Sequence, residues 1–389
     1  MNNFDFYCPT KIVFGKGSIA QLNDLINEAV GKGKRVLMIY GGGSIKKNGV
    51  YDQVKAAIKD HKLFEFSGVE PNPTYETCMK AVKMVKQKRI NFLLAVGGGS
   101  TLDATKFIAA ASKYKRWKDP YNIVSRSLPV KKAIPLGSVM TLPATGSEMN
   151  CASVISRTST QEKHAFRDPK VFPKFSIVDP QTTYTLPIEQ VRNGIIDTYT
   201  HVMEQYATCD VNTPLQDSWA LGLIKTLLQE APKVLANNED YEAKANICWC
   251  ATCGLNYWLS VGCIQDWSTH RIGHEITAFY GLSHGQSLAV ILPRLWQARK
   301  QDKAQKLAKL AREVYGCQEA DDLKAADCAI GKTEEFFNSL GMKTKLADYG
   351  VDSKEAAQRV KERFEERRTL LGEDEKVTPD MIYDILMNC

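Results

Sequence analysis

The sequence contains no apolar run close to the roughly 18 residues that a membrane-spanning helix requires, so no membrane partner is expected. Its first residues, MNNFDFYCPTKIVFG, lack a charged segment followed by a long apolar core, so no signal peptide is expected. The net charge of +7 is not gathered into one tract, and the densest basic stretch, KERFEERR at residues 361–368, interleaves acids as a solvated helix face does. These absences predict a cytoplasmic protein that binds no nucleic acid.

Cysteine is present, but not in a pattern that specifies a disulfide framework or a zinc site. There are eleven cysteines, an odd number, at irregular spacing. The tightest group, NICWCATCG, contains a CxxC at Cys250 and Cys253 but no second CxxC or neighbouring histidine that would complete a zinc site. We therefore predict reduced thiols, with this group packed on a buried helix, in a reducing compartment.

Length and periodicity predict two domains. At 389 residues the chain is long enough for two substantial cores. In the first half, short apolar runs such as RVLMIY, FLLAV and FSIVD alternate with amphipathic helical patterns, which predicts a parallel sheet in an α/β, Rossmann-like domain. After DPQTTYTLP the patterns are long and helical. The predicted boundary separates an α/β domain at 1–186 from an all-helical domain at 187–389.

Two glycine-rich loops with the sequence GGGS each follow a predicted strand. Such a loop lets phosphate oxygens approach backbone N–H groups and the positive end of the next helix, at the strand ends where α/β sheets bind ligands. Neither loop is a GxGxxG or Walker A sequence, so one alone could be a plain turn, but two favour a dinucleotide site. The candidate cofactor-binding residues are Gly41, Gly42, Gly43, Ser44, Gly97, Gly98, Gly99 and Ser100. Asp103, on the first turn of the following helix, could accept a hydrogen bond from a ribose hydroxyl or a donor on the nicotinamide side.

The first loop also bears on which dinucleotide is bound. Folds that bind NAD usually place an acid at a strand end, where it accepts from the ribose 2′-hydroxyl. The stretch YGGGSIKKNG has no acid and offers Ser44, Lys46 and Lys47 instead. Donors and cations without an acid suit a 2′-phosphate, although the lysines could equally be solvent-facing surface residues. NADP is therefore the predicted cofactor, with NAD as the alternative.

Histidine is scarce, yet half of the six histidines lie within STHRIGHEITAFYGLSHG. His270 and His274 are four residues apart and so share a helix face, and His284 follows ten residues later. Asp197 and His201 form a second pair with the same spacing. A lone helical histidine is more often a core or surface residue, but two such pairs favour a site for a divalent metal such as Fe²⁺ or Zn²⁺. The first domain is thus predicted to bind the dinucleotide, and the second to bind the metal and carry the catalytic residues.

Motifs along nearly the whole chain carry a resemblance to a known family. They are PTKIVFGKGSI, YGGGSIKKNGVYDQV, GVEPNP, GGGSTLDATKFIAA, TLPATGSEMN, DPQTTYTLP, NGIIDTYTHVMEQY and HRIGHEITAFYGLSHG. With these motifs the chain resembles the iron-containing (group III) alcohol dehydrogenases, which share the dehydroquinate-synthase-like fold. Within that family it is most similar to bacterial NADPH-dependent aldehyde reductases and butanol dehydrogenases.

The resemblance implies a role for each residue of the histidine-rich stretches. The metal ligands that it implies are Asp197, His201, His270 and His284. His274 matches a histidine near the substrate and nicotinamide that is implicated in proton relay, and it is the predicted catalytic residue.

The resemblance also assigns cofactor-binding residues beyond the first loop. The second GGGS loop matches the pyrophosphate loop, and Asp103, Thr141 and Lys163 match residues that line the ribose and nicotinamide. Pro73, in the GVEPNP motif, is included among the predicted cofactor-binding residues. In NAD-preferring relatives an acid occupies the position of Gly42. The absence of that acid here agrees with NADP as the cofactor, although members with this GGGS loop have been labelled NADH-dependent.

The predicted activity is reversible hydride transfer between NADP(H) and short- to medium-chain aldehydes and primary alcohols, such as butanal and butanol. Alternatives are an NADH-dependent butanol dehydrogenase, a polyol dehydrogenase and a dehydroquinate-synthase-type lyase of the same fold. The apolar AFYG and NYWL segments argue against the phosphorylated, carboxylated substrate of that lyase. A non-catalytic nucleotide-binding protein would be expected to lose metal ligands.

Two further segments bear on the substrate channel and on assembly. The segment NYWLSVGCIQDW could wall a substrate channel or form plain core. The segment FYCPTKIVFG is typical of an edge strand and predicts a homodimer, as the resemblance also implies.

Overall fold

The computed structural model describes residues 1–114 and 118–389, which divide into an α/β unit and a helical unit. The α/β unit comprises Tyr7–Leu186 and Asn238–Thr252, and the helical unit comprises Met1–Phe6, Pro187–Asn237 and Cys253–Cys389. The predicted fold class, a Rossmann-like α/β domain with a parallel sheet plus an all-helical domain, is confirmed.

The α/β unit contains a parallel sheet of six strands in the order β1-β8-β5-β4-β2-β3, and a separate antiparallel hairpin of β6 and β7. The strands are β1 (Lys11–Phe14), β2 (Arg35–Tyr40), β3 (Lys62–Phe66), β4 (Phe92–Gly98), β5 (Leu136–Leu142), β6 (Ala152–Arg157), β7 (Glu162–Arg167) and β8 (Phe175–Val178). The central strands are buried on both faces, which explains why their sequences are continuously apolar rather than alternating.

Helices follow most strands of this sheet. They are α1 (Leu22–Val30), α2 (Ser44–Lys47), α3 (Val50–Ala57), α4 (Tyr75–Lys88), α5 (Gly99–Ala111) and α6 (Asn122–Ser125). Alternate residues of two neighbouring strands, Val36 and Met38 on β2 and Phe92 and Leu94 on β4, share one core cluster with apolar residues of α1 and α3. This core fixes the positions of the central strands. The glycine loops begin at the carboxyl ends of two of these strands.

Residues 238–252 belong to the α/β unit, although the sequence places them in the second predicted domain. They contain most of α9 (Tyr241–Gly254). Cys248 packs in the core against Met140 and Val178 of the sheet, and the Trp249 ring packs edge-on against Phe14 with centroids 6.0 Å apart. The small buried thiol of Cys248 therefore serves as core packing, as predicted for the cysteine-rich stretch.

The helical unit contains the remaining helices. They are α7 (Ile188–Tyr206), α8 (Pro214–Ala236), α10 (Ser268–Tyr280), α11 (His284–Ala298), α12 (Lys300–Glu313), α13 (Asp322–Ser339), α14 (Ser353–Glu366) and α15 (Pro379–Met387). One core cluster joins Ile272 and Ile276 of α10, Val290 and Ile291 of α11, and Phe364 of α14. Within the described residues, no helix combines the length and the hydropathy that crossing a bilayer would demand.

Cys317 and Cys328 form a disulfide, which corrects the expectation that all eleven thiols are reduced. Cys317 lies after α12 and Cys328 lies on α13, and the packing of these two helices leaves their Cα atoms 6.8 Å apart. A spacing of 11 residues carries no signal for this proximity, because it depends on how the two helices pack.

Candidate functional site

Three helices of the helical unit bring one carboxylate and three imidazoles together. Asp197 and His201 lie one turn apart on α7, His270 lies on the first turn of α10, and His284 is the first residue of α11. From Asp197 Oδ1 the distances are 3.5 Å to His201 Nδ1, 3.4 Å to His270 Nε2 and 3.5 Å to His284 Nε2. The ligand atoms of Asp197, His201 and His270 all lie within 4.8 Å of one another.

The turn before α11 explains how His284 reaches this cluster. Ser283 caps the helix in a capping box, with its backbone N–H donating to the Gln286 side chain at 2.8 Å. The Ser283 hydroxyl donates to Asn193 Oδ1 on α7 at 2.9 Å. A Cβ at Gly285 would lie 2.6 Å from that same oxygen, so only glycine allows this close approach of the two helices. The SHG sequence therefore fixes His284 against α7.

The donor set fits a divalent metal. In a tetrahedral site with metal–ligand bonds of about 2.1 Å, the ligand atoms lie about 3.4 Å from one another, which matches the distances from Asp197. Asp197 is 4% exposed and His270 is 7% exposed. Asp197 Oδ1 and His270 Nε2 have no hydrogen-bond partner among residues 1–114 and 118–389, an arrangement that is costly for buried polar atoms unless an ion binds them. The residues present therefore suit Fe²⁺ or Zn²⁺.

His274 lies one turn after His270 on α10 and is partly exposed. Its ring centroid is 6.2 Å from that of His270 and 5.5 Å from that of His284. It thus lies beside the candidate ligands in a partly exposed position. A titratable side chain in this position is suited to exchanging a proton with a molecule bound at the metal.

A separate group of predicted residues lies at the carboxyl edge of the α/β sheet. In the parallel register, Tyr40 of β2 pairs with Val96 of β4, and Gly97 pairs with Met140 of β5. The loop at 41–43, the second glycine loop and Thr141 therefore lie at the same edge. This is the edge where ligands bind in open α/β sheets.

The second glycine loop makes a close turn into α5. Gly97 and Gly98 end β4, and Gly99 and Ser100 begin the helix. A Cβ at Gly97 would lie 2.4 Å from the Thr101 hydroxyl, and one at Gly99 would lie 2.5 Å from a methyl carbon of Thr145. Side chains at these positions would force the loop open. The glycines thus allow the tight turn from β4 into the N-terminus of α5, a type of helix end that is suited to binding an anion.

Asp103 has partners within the α/β unit. Its Oδ1 accepts from the Ser147 hydroxyl at 2.8 Å and its Oδ2 accepts from the Val154 amide at 3.0 Å, while burial raises the pKa of this carboxyl group. The buried Lys106 ammonium donates to Ser147 and Asn150 at 2.8 and 3.0 Å. Burial lowers the pKa of Lys106 to about 8. Asp103 therefore fixes the segment after β5, a role that the sequence did not suggest, and Lys106 was not predicted at all.

Pro73 and Lys163 lie where the β6–β7 hairpin meets the segment that follows β3. The Gly68 amide donates to the Gly41 carbonyl at 3.0 Å, which holds the segment after β3 beside the first glycine loop. The Pro73 carbonyl accepts from the Ser156 amide of β6 at 2.9 Å. Lys163 Nζ on β7 donates to Asn72 Oδ1 at 2.8 Å. The β6–β7 hairpin thus packs on the GVEPNP segment, a contact that depends on the fold.

The first glycine loop leaves room beside Gly42. Gly42 is exposed, and a Cβ there would meet nothing within 4 Å. Ser44 begins α2 and is exposed. Lys46 Nζ lies over the Tyr40 ring, 5.5 Å from its centroid, and a hydrogen bond to that tyrosine raises the pKa of Lys46. Lys47 is exposed. The loop therefore presents a hydroxyl and two cations without a carboxylate of its own.

The segment at 256–267 is divided between core and surface. Leu259 is buried and Trp258 is exposed. The Trp267 ring packs edge-on against His270, with centroids 5.4 Å apart. This end of the segment therefore contacts the candidate metal centre.

Comparisons with known proteins match both parts of the chain. The family model for iron-containing alcohol dehydrogenase matches residues 9–180, and the model for the C-terminal part of the Fe-containing alcohol dehydrogenase family matches residues 192–389. The NADPH-dependent aldehyde reductase YqhD of Escherichia coli is 47% identical over 98% of each chain. The probable NADH-dependent butanol dehydrogenase 1 of Bacillus subtilis is 42% identical, over 91% of this chain and 92% of that protein. The crystal structure of NADH-dependent butanol dehydrogenase A from Thermotoga maritima is 33% identical with a TM-score of 0.93, covering 99% of this chain and 98% of that one.

Proposed function

Because the chain belongs to the iron-containing alcohol dehydrogenase family, we propose that it is a metal-dependent aldehyde reductase that uses NADPH. An aldehyde, NADPH and a proton give a primary alcohol and NADP⁺, and the reaction is reversible. Short- to medium-chain aldehydes such as butanal are the proposed substrates, since related proteins are named aldehyde reductases and butanol dehydrogenases. The observation that carries the proposal is the cluster of one carboxylate and three imidazoles around Asp197 Oδ1.

The protein residues have distinct tasks in this reaction. Asp197, His201, His270 and His284 hold the metal, and a divalent metal bound there supplies Lewis acidity toward the carbonyl oxygen. His274 delivers the proton that the product alkoxide needs, because an imidazole can act as a general acid. Hydride comes from the nicotinamide, which is chemistry of the cofactor and not of the chain.

The α/β unit supplies the cofactor-binding residues. The N-terminus of α5 and its glycine loop bind the pyrophosphate, and Thr141, Lys163 and Pro73 line the remainder of the dinucleotide. Asp103 acts there mainly by holding the segment after β5 in place. Ser44 with Lys46 or Lys47 binds the 2′-phosphate, so NADPH is preferred. The Bacillus subtilis relative, named as NADH-dependent, supports NADH-dependent butanol dehydrogenation as the second candidate.

A panel of aldehydes tests this proposal. The protein is loaded with Fe²⁺ or Zn²⁺, and initial rates are measured with NADPH and with NADH. We expect the highest kcat/KM for an unbranched aldehyde with NADPH. Absence of turnover with every aldehyde and both cofactors would refute the proposed activity.

Placing Asp at position 42 is expected to shift cofactor preference toward NADH. The side chain would enter open space, accept from a free 2′-hydroxyl and repel a 2′-phosphate. Juxtaposed like charges cost on the order of several kcal/mol when desolvated, so even a partly exposed pair should shift the preference by at least about 10-fold. The measured quantity is the ratio of kcat/KM for NADPH over NADH in the parent and in Gly42→Asp.

Gly42→Asn is the matched control, because asparagine has the same shape as aspartate without its charge. It should move the ratio far less than Gly42→Asp. A parent that prefers NADH, or equal ratios for the two variants, would show that the 2′-phosphate does not lie beside this loop.

The proposed assembly is a cytoplasmic homodimer that forms at the edge of the sheet. Within the described residues β1 pairs with β8 on one side only, and Phe14 at its end is 41% exposed. An open edge of this kind can pair with its copy across a two-fold axis. One chain has a mass of 43.5 kDa. Sedimentation equilibrium at micromolar concentration should give twice that mass. A mass of one chain would contradict the dimer.

A further inference from the structure

We propose that Glu204 is a positioning residue of the metal centre, holding His270 in the orientation and tautomer that present its Nε2 atom to the metal. Glu204 is not among the residues that the sequence suggested. The inference rests on the proposed metal-dependent function and assigns a residue outside its ligand set.

Glu204 contacts His270 with both carboxylate oxygens. It lies on α7, three residues after His201, and is 3% exposed. Its Oε2 contacts His270 Nδ1, and its Oε1 accepts from the His270 backbone amide at 3.1 Å. The Glu204 carbonyl also accepts from the Asp266 amide at 2.9 Å, just before α10 begins. Side chain and backbone of one residue thus fasten the start of α10 to α7.

The backbone contact explains why a carboxylate is suited to this buried position. His270 is the third residue of α10, so its N–H is one of the first four in the helix and has no partner within it. A side-chain oxygen from α7 satisfies that donor, and negative charge is favourable at a helix N-terminus. Glu204 therefore caps α10 from another helix at the residue that bears the ligand.

The side-chain contact determines which ring nitrogen is available. A carboxylate accepts but does not donate, so the neutral imidazole carries its proton on Nδ1 and keeps a lone pair on Nε2. Nε2 is the atom that lies 3.4 Å from Asp197 Oδ1. A carboxylate bonded to the far nitrogen of a ligand histidine orients the ring and makes it a stronger donor, and losing such a partner typically weakens metal affinity about 10- to 100-fold.

Glu204→Gln tests the role of the carboxylate with little change in shape. The glutamine amide can accept from only one of the two His270 donors, and if its NH₂ group faces Nδ1 the proton is forced onto Nε2. Zinc affinity is measured by competition with a chromogenic chelator on the full chain, and the absorption spectrum of the Co²⁺-loaded protein reports the ligand geometry. We expect Zn²⁺ affinity to fall about 10- to 100-fold, with an altered Co²⁺ spectrum.

Asp217→Asn is the matched control in the same unit. Asp217 is also a buried carboxylate on a helix, but its contacts are to Lys306 and Lys309. Removing its charge should leave Zn²⁺ affinity and the Co²⁺ spectrum as in the parent. An equal loss of affinity in both variants would attribute the effect to general destabilisation and overturn the proposal.

Glu204→Asp keeps the charge on a shorter side chain and decides the question if Glu204→Gln does not fold. Its Zn²⁺ affinity should lie between that of the parent and that of Glu204→Gln. If Glu204→Gln does not fold, the comparison is with the parent only, and the affinity of Glu204→Asp should be the lower of the two. Parent-like affinity and spectrum in every folded Glu204 variant would overturn the positioning role. A parent chain that binds no Zn²⁺ or Fe²⁺ would instead refute the metal-dependent function itself.

Discussion

His270→Ala is expected to abolish aldehyde reduction and to lower the bound-metal content at the same time. The substitution removes the Nε2 atom that lies 3.4 Å from Asp197 Oδ1 in a buried cluster. The cluster then keeps one carboxylate and two imidazoles, and the buried carboxylate loses one of its metal-binding neighbours. His284→Ala should behave in the same way. Metal content by elemental analysis and turnover with butanal and NADPH are measured on the same preparations.

His61→Ala is the control for loss of a histidine as such. His61 lies in the α/β unit, where its Nδ1 accepts from the Lys34 backbone amide. That variant should keep both metal and activity. Full activity in metal-free His270→Ala would show that the cluster is not the metal site.

His274→Ala is expected to keep the metal while turnover falls by about 10²- to 10⁴-fold, the range typical of general acid–base groups. His274 lies beside the ligands on α10, with its ring centroid 6.2 Å from that of His270 and 5.5 Å from that of His284, and it is proposed to act on the proton and not on the metal. Removing it should therefore withdraw a proton donor and leave the metal site intact. Metal content and kcat are compared with those of the parent across pH. Loss of metal from this variant would mean that the roles of the histidines are exchanged.

Family membership confirms the resemblance that the motifs indicated. The motifs could be recognised in the sequence because each depends on the spacing of residues that are close together in the chain. Asp197 and His201 are one helical turn apart, a separation that places them on one face wherever the helix packs. The GGGS loops follow continuous apolar strands, so their position at the ends of parallel strands could be read from the chain. These features are local in the sequence. They were therefore sufficient to predict the parallel sheet and the order of the α/β and helical parts.

Contacts between distant segments could not be predicted in this way. The carboxylate of Glu204 and the ring of His270 are 66 residues apart, and no spacing links them. The bonds from Lys106 to Ser147 and Asn150 likewise span more than 40 residues. Asp103 was predicted from its place on a helix, but its bonds to Ser147 and Val154 are visible only in the folded chain.

The central claim is that this chain reduces aldehydes with NADPH only when its histidine cluster holds a metal. The most direct test is the initial rate of NADPH oxidation with butanal, measured on one preparation as purified, after chelation and dialysis, and after addition of Fe²⁺ or Zn²⁺. We predict that the rate falls to background on chelation and returns when about one metal ion per chain is bound. A chelated protein with no detectable metal that still oxidises NADPH at the original rate would contradict the account.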